Sequence, residues 1–128
     1  MDAEVTYIRL KGIALQEFPD IVASASILRG PLNLAKSLRI FFIDNSFLEV
    51  YISDKKYSYH WQLADKIYRH DNAPHHKHKK IKTFPKHFHD GSEDNVTESK
   101  ISDNPNNAIR EFLNFIRENS RETRHPSS

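Results

Sequence analysis

The chain is short, contains no cysteine and is close to charge-neutral. Its 128 residues suffice for one domain with a single core, and 38% hydrophobic and 28% charged residues are typical of a globular protein. The lack of cysteine excludes disulfides, thiolate zinc sites and cysteine nucleophiles. The apolar runs have the length of strands and acids stand near the N-terminus, so we expect no signal peptide, no membrane span and a cytoplasmic protein.

The first predicted element is an amphipathic helix over residues 2–17. Asp2 suits the N-cap position, and Pro19 provides a stop. Apolar side chains recur within this segment at spacings that suit an amphipathic helix, at Val5, Ile8 and Leu15 with Tyr7 and Ile13 nearby. The pattern therefore predicts that the apolar face packs on the rest of the protein.

Five segments that follow are predicted to be β-strands, namely residues 20–29, 37–44, 47–53, 56–63 and 66–71. Apolar and aromatic residues alternate with polar ones in most of them, although the small residues of 20–29 make that strand the weakest. The dipeptide Asn45-Ser46 provides a hairpin turn. Because successive side chains point to opposite faces, Arg69 and Asp71 share one face and Tyr68 lies on the other.

The rest of the chain predicts a long loop, one or two short strands and a final helix. Residues 72–86 contain two prolines and many charges, and long loops of this kind often carry function. Asn104 suits a cap and Pro105 the first helical position, before an apolar stripe at Ile109, Phe112, Leu113 and Ile116. We therefore expect one α+β domain over residues 1–119, an antiparallel meander of about five or six strands with a helix at each end, and a disordered tail over residues 120–128.

The most unusual feature is a segment dense in histidine and lysine. Between positions 75 and 89 lie five histidines and five lysines, and no Asp or Glu occurs between Asp71 and Asp90. The histidines are His75, His76, His78, His87 and His89, and the lysines are Lys77, Lys79, Lys80, Lys82 and Lys86. Such a block of one charge sign is typical of a solvated loop or an interaction segment.

The residues of this segment leave several interpretations open. Imidazoles bind zinc, and Asp71, His75, His87 and His89 would be the ligands, although the pattern matches no standard zinc motif and the neighbouring lysines oppose a cation. Metal-free RNA cleavage instead needs a base, an acid and a cation. The candidates for these roles are Arg69, Asp71, His75, His76, His87 and His89.

Simple nucleic-acid binding is a further alternative. The lysines would form a phosphate-binding patch, and Tyr68, Phe84 and Phe88 could stack on unpaired bases. A plain solvated loop would explain the same composition. We expect no cofactor and no metal, and we assign phosphate or base contacts to Tyr68, Lys77, Lys79, Lys80, Lys82 and Lys86.

Three strings in this part of the chain resemble a known protein family. They are YSYHWQ (57–62), RHDNAPHH (69–76) and FPKHFH (84–89). Together they resemble the TumE family of small toxins over about residues 37–118, and Glu49 lies where that family tends to have a glutamate. The string KHKK (77–80) is more charged than the family pattern suggests.

The resemblance implies a toxin of a type II toxin–antitoxin system with a helix-turn-helix antitoxin as its partner. It carries over to Arg69, Asp71, Asn72, Pro74, His75, His76, Pro85, His87 and His89. It suggests RNA or the ribosome as the target, no membrane partner, and leaves a homodimer open. We therefore expect a metal-independent endoribonuclease, with a non-catalytic nucleic-acid or ribosome-binding module as the alternative and a metal-dependent hydrolase as the third.

Overall fold

The computed structural model describes residues 2–124, with residue 76 and residues 121–124 described by their backbone alone. In chain order the elements are α1 (Ala3–Glu17), β1 (Val22–Arg29), β2 (Ala35–Phe42), β3 (Phe47–Ile52), β4 (Tyr57–Leu63), β5 (Lys66–Asp71), β6 (His87–Gly91), β7 (Val96–Glu98) and α2 (Pro105–Arg124). Single 3₁₀ turns occur at Pro31–Asn33 and His76–His78. The α+β prediction is confirmed. The strands number seven rather than five or six, because both short strands after the long loop form.

The seven strands form one antiparallel sheet in which each strand pairs with its sequence neighbours. The hairpin between β2 and β3 turns through residues 43–46, where Asn45 has a φ of 71°, a conformation that asparagine tolerates better than most residues. Asp44 Oδ1 accepts a 2.9 Å hydrogen bond from the Ser46 backbone N–H. The strands of this hairpin are therefore placed by local turn chemistry as well as by the apolar pattern.

Both helices pack on the same face of the sheet, which we call the covered face. The alternation predicted for β3 and β4 is confirmed, because Leu48, Val50 and Ile52 are buried while Tyr51 is exposed. The predicted stripe of α2 is confirmed as well. Its four residues have 0% exposure: Ile109, Phe112, Leu113 and Ile116. The Phe112 ring lies 6.4 Å from that of Tyr59 and 6.1 Å from that of Phe88, both on the sheet.

The N-terminal helix forms as predicted, but a different stripe is buried. Asp2 caps it by accepting hydrogen bonds from the backbone of Glu4 and Val5. The predicted apolar positions are only partly buried. Tyr7 and Ile13 lie in the core with Leu10 and Ala14, whereas Val5, Ile8 and Leu15 are exposed: the prediction is wrong for these three. The Tyr7 hydroxyl accepts a 2.9 Å hydrogen bond from the Ile52 backbone N–H. This contact joins the buried stripe of α1 to a distant strand of the sheet.

Some element bounds differ from those expected. Strand β2 ends at Phe42, two residues before the predicted limit at 44, because the turn begins earlier. Helix α2 continues to Arg124, past the expected domain limit at 119, and residues 125–128 of the expected tail lie outside the described residues. In residues 2–124, neither helix combines the length and apolar character that crossing a membrane requires.

Candidate functional site

The sheet face away from the helices, here called the open face, has a row of charged and polar side chains. Cross-strand pairing aligns Arg39 with Glu49, Glu49 with His60, His60 with Arg69, and Arg69 with His89. Cross-strand neighbours of this kind lie about 5 Å apart. The meander therefore produces a continuous row of charged and polar side chains across strands β2 to β6. Arg69 is next to the β6 end of this row.

Each of the three guanidinium nitrogens of Arg69 has a hydrogen-bond partner. Its Nε donates to Asp71 Oδ2 at 2.8 Å, and its two terminal nitrogens donate to the two Glu93 carboxylate oxygens at 2.7 and 2.8 Å. Nη2 also donates to His89 Nε2 at 3.1 Å, and Nη1 lies 3.5 Å from His60 Nδ1. The guanidinium is thus paired with two carboxylates and fixed in orientation.

Asp71 stands between two histidine side chains of β6. Its Oδ1 is 3.1 Å from His87 Nε2, and its Oδ2 is 3.7 Å from His89 Nε2. On the far side of each ring, His87 Nδ1 donates to the Pro85 carbonyl at 2.8 Å and His89 Nδ1 to the Glu93 carbonyl at 3.0 Å. Because these carbonyls only accept, both Nδ1 atoms carry a proton and both Nε2 atoms face the carboxylate.

The loop between β5 and β6 brings a third and a fourth imidazole to the same place. The His78 ring centroid lies 4.9 Å from that of His87 and 6.2 Å from that of His89. The His75 ring lies 5.1 Å from the His78 ring. A cleft of about 300 Å³, which we call the histidine cleft, is lined by Arg69, Asp71, His75, His78, His87 and His89 together with Lys77 and Glu93.

Burial and charge shift several ionisable groups in the cleft. Burial lowers the pKa of His89 and of His78, and nearby His87 and His75 lower that of His78 further. The hydrogen bonds with Glu93 raise the pKa of Arg69, and the same bonds lower the pKa of Glu93. The cleft thus combines a permanent cation, Arg69, with two imidazoles, His78 and His89, whose lowered pKa favours the neutral form.

Comparison with known proteins places the chain in a family. The family model described as "Toxin TumE" matches residues 11–120, which is most of the sequence. The chain belongs to the TumE toxin family. No curated protein and no solved structure matches it. Membership confirms the resemblance seen in the three sequence strings and extends it toward the N-terminus, and a toxin family implies an antitoxin partner.

The structure brings together part of the predicted catalytic set of this TumE chain. Arg69, Asp71, His87 and His89 contact one another, and His75 joins them through His78. The side chain of His76 lies outside the described residues. Arg69 and Asp71, which were expected to share one strand face, form an ion pair along β5.

The predicted nucleic-acid contacts separate into two groups. Lys77 lines the histidine cleft, and Lys79, Lys80 and Lys82 are exposed on the loop beside it. Lys86 points elsewhere and donates to the Ile101 carbonyl at 2.8 Å. Tyr68 lies on the covered face, where its ring packs 5.0 Å from that of Trp61.

The other two aromatic side chains expected to stack on bases also lie away from the cleft. Phe88 is buried in the core beside Phe115, with ring centroids 5.4 Å apart. Phe84 borders a separate cavity of about 510 Å³ with Tyr57 and Asn72. Base stacking by these residues therefore has no support at the histidine cleft.

Two residues of this cluster were not predicted as site residues from the sequence, His78 and Glu93. His78 has the spacing from His75 that a 3₁₀ turn places on one side, and this spacing was a usable signal. Glu93 lies in an acidic stretch that resembles a solvated turn, and nothing in its surroundings predicts a bidentate contact with Arg69. Its role follows only from the position of the β6–β7 turn.

Part of this cluster has the composition of a metal site. One ligand atom from each of Asp71, His87 and His89 lies within 4.8 Å of the others, and all three residues are buried. The fourth ligand considered from sequence, His75, contacts the cluster through the His78 ring instead. Two imidazoles and a carboxylate are a donor set suited to a divalent transition-metal ion.

Proposed function

We propose that this TumE toxin acts in the cytoplasm as the toxin of a type II toxin–antitoxin pair, and that it cleaves RNA at the histidine cleft without a metal. The observation that carries the proposal is the convergence of Arg69 and four imidazoles on one cleft beside exposed lysines. Phosphodiester cleavage by acid–base chemistry requires those group types in one place.

Arg69 is the group that would bind the scissile phosphate. All of its N–H groups already have partners, and Glu93 occupies the side that makes a bidentate contact. A phosphate presents two oxygens in a similar arrangement, so it would replace the Glu93 carboxylate. Because the Glu93 side chain is 60% exposed and Asp71 is 8% exposed, Glu93 is the partner that gives way.

The imidazoles would carry the two proton transfers. A base, His75 or His76, takes the proton of the RNA 2′-hydroxyl as the 2′-oxygen bonds to phosphorus. An acid, His87 or His89 in the form that also carries a proton on Nε2, gives that proton to the departing 5′-oxygen as the phosphorus–oxygen bond breaks. The products are a 2′,3′-cyclic phosphate and a 5′-hydroxyl, and Asp71 orients His87 throughout.

The exposed lysines and the antitoxin would act on the same surface. Lys77, Lys79, Lys80 and Lys82 would contact phosphates on either side of the cleavage point, which makes binding weaken as salt increases. A helix-turn-helix antitoxin with an acidic segment would neutralise the toxin by covering the cleft.

The proposal is tested with the double variant His75→Ala/His87→Ala. Expression of the wild type is expected to arrest growth, and purified wild type to cleave RNA in EDTA with a cyclic phosphate product. The double variant is expected to lose at least about a hundredfold of the cleavage rate, the usual contribution of acid–base groups. His60→Ala, on the same face but outside the cleft, is the matched control. A folded double variant that keeps its toxicity and its cleavage rate would refute the assignment.

A non-catalytic binding module is a second candidate, favoured by the burial of the inner histidines. The side chains of His87 and His89 are 4% and 6% exposed, whereas Lys79, Lys80 and Lys82 are exposed. This function predicts that replacing the three lysines by glutamine abolishes toxicity while the histidine variant keeps it. RNA that is bound but never cut, with binding lost at high salt, would favour this candidate.

A further inference from the structure

We propose that Asp71, His87 and His89, with His78 as the fourth ligand, form a binding site for a zinc-class divalent metal ion. The site is a property of the folded protein and does not depend on RNA. Its three inner members already place one potential ligand atom each within 4.8 Å of the others. Two further features of the geometry point to a coordination site rather than to an ordinary ion pair.

The first feature is the orientation of the two inner imidazoles. Each Nδ1–H is fixed by a backbone carbonyl, from Pro85 for His87 and from Glu93 for His89. Metal-binding histidines typically donate one ring N–H to a carbonyl or carboxylate, which leaves the other nitrogen unprotonated for the metal. Here both Nε2 atoms face Asp71, at 3.1 and 3.7 Å from its oxygens. The backbone carbonyls therefore leave Nε2 of each ring as the atom that can bind an ion, and the ion would take the place of a proton between His87 Nε2 and Asp71.

The second feature is the spacing of the three rings. With a Zn–N bond of about 2.0 Å and tetrahedral angles, the centroids of two ligating imidazoles lie about 5 Å apart. The centroid of His87 is 4.9 Å from that of His89 and 4.9 Å from that of His78, and the His78–His89 separation is 6.2 Å. A small movement of the loop that bears His78 would bring its ring to the same ion. Three imidazoles and one carboxylate complete a four-coordinate set.

The charge balance of the surroundings tolerates a cation despite the presence of Arg69. Asp71 and Glu93 both pair with Arg69, so the three side chains together carry one net negative charge. On coordination, His89 Nε2 would bind the ion and lose its 3.1 Å hydrogen bond with Arg69. The guanidinium keeps its contacts with Glu93, which compensate its charge beside the ion.

An ion in this place would regulate the proposed cleavage. It would occupy the Nε2 lone pairs of His87 and His89, and the metal-bound protein would be the inactive form. This consequence rests on the proposed function, whereas metal binding itself does not. Binding is therefore measured without RNA, so that failure of the metal site and failure of RNA cleavage are told apart.

The test is a titration of metal-stripped full-length protein with Zn²⁺ against a chromophoric chelator, and with Co²⁺ to observe its visible absorption. We expect one ion per chain and Co²⁺ bands typical of a tetrahedral site. His87→Ala, His89→Ala and Asp71→Asn are each expected to weaken binding at least tenfold, and His78→Ala to weaken it less and to change the Co²⁺ spectrum. Wild type is also expected to unfold at a higher temperature with Zn²⁺, because the ion binds only the folded chain.

Matched controls separate this site from adventitious binding by exposed histidines. His60→Ala and His75→Ala each remove an imidazole of the same protein without removing a proposed ligand, and they are expected to bind Zn²⁺ as the wild type does. Asp71→Asn preserves the side-chain shape, so circular dichroism should show a folded variant. Equal Zn²⁺ affinity in the wild type and in His87→Ala, or Zn²⁺ affinity lost only with His75→Ala, would overturn the proposal.

Discussion

The two faces of the sheet both contain buried histidines, but they accommodate them differently. On the covered face, His70 Nδ1 accepts from the Ser99 hydroxyl at 2.7 Å and Nε2 donates to the Ser102 carbonyl at 3.3 Å. On the open face, His87 and His89 have carbonyl partners on one side only and share Asp71 on the other. Both ring nitrogens of His70 thus have neutral hydrogen-bond partners, whereas His87 and His89 face the charged carboxylate of Asp71. Burial alone therefore does not distinguish a structural histidine from a functional one.

The largest difference in stability between the two faces is expected for substitutions on strand β4, where neighbouring residues point to opposite faces. Trp61 has 0% exposure and packs against Tyr68 and Phe115, so Trp61→Ala is expected to lower the free energy of unfolding by about 3–5 kcal/mol. His60→Ala, one residue away on the open face, should change it by less than about 1 kcal/mol. Urea unfolding of both variants measures the difference. Equal losses would mean that the open face is also core.

A second test uses the pH dependence of stability due to His70. Burial lowers the pKa of His70 from 6.5 to about 4, while Lys86, Asp103 and Asp71 are the charged groups that act on it. Below pH 6.5 the unfolded chain takes up a proton that the folded chain refuses, so stability falls as the pH decreases toward 4 and is unaffected above 6.5. The contribution is about 3 kcal/mol.

The measurement compares urea unfolding of the wild type and His70→Gln at pH 7 and pH 4. The wild type is expected to lose about 3 kcal/mol more than the variant over this interval, because the variant lacks the titrating ring. Equal losses of unfolding free energy in the two proteins would show that His70 is protonated in the folded protein. The proposed difference between the histidines of the two faces would then be wrong.

The smallest expected effect is on oligonucleotide binding at the open face. Glu93→Gln removes the carboxylate that occupies Arg69 and should tighten binding of an uncleavable 2′-deoxy oligonucleotide by up to about fivefold, since exposed ion pairs contribute at most about 1 kcal/mol. Asp65→Asn removes the same charge from the exposed turn between β4 and β5, outside the cleft, and is the control. Fluorescence anisotropy at fixed salt measures both. Weaker binding by Glu93→Gln would mean that Glu93 positions Arg69 instead of blocking it.

Much of the architecture followed from local patterns in the sequence. The alternation in β3 and β4 and the stripe of α2 depend on periods of two and about 3.6 residues, which any half-buried strand or helix must show. The burial of Leu48, Val50 and Ile52 matches that pattern. For α1 the pattern was ambiguous, because two apolar stripes were present, and the stripe with Leu10, Ile13 and Ala14 that packs into the core also contains Tyr7, which contacts Ile52.

The candidate site was predictable as a set of residue types but not as an arrangement. Arg69 and Asp71 follow from their shared strand face, and the density of histidine pointed to the neighbouring segment. Lys86 and Tyr68 were assigned to the same surface, yet Lys86 donates to Ile101 and Tyr68 packs under α2. Their directions depend on where the long loop enters β6 and on which face the helix covers.

By itself the sequence determined the classes of chemistry and the order of the elements, since composition and periodicity are properties of the chain. Only the tertiary structure decided that His78 contacts His87, that Glu93 pairs with Arg69, and that both inner imidazoles face Asp71. These contacts join segments separated by loops, and their geometry is set by strand register and backbone carbonyl positions. Neither of these can be read from residue identity alone.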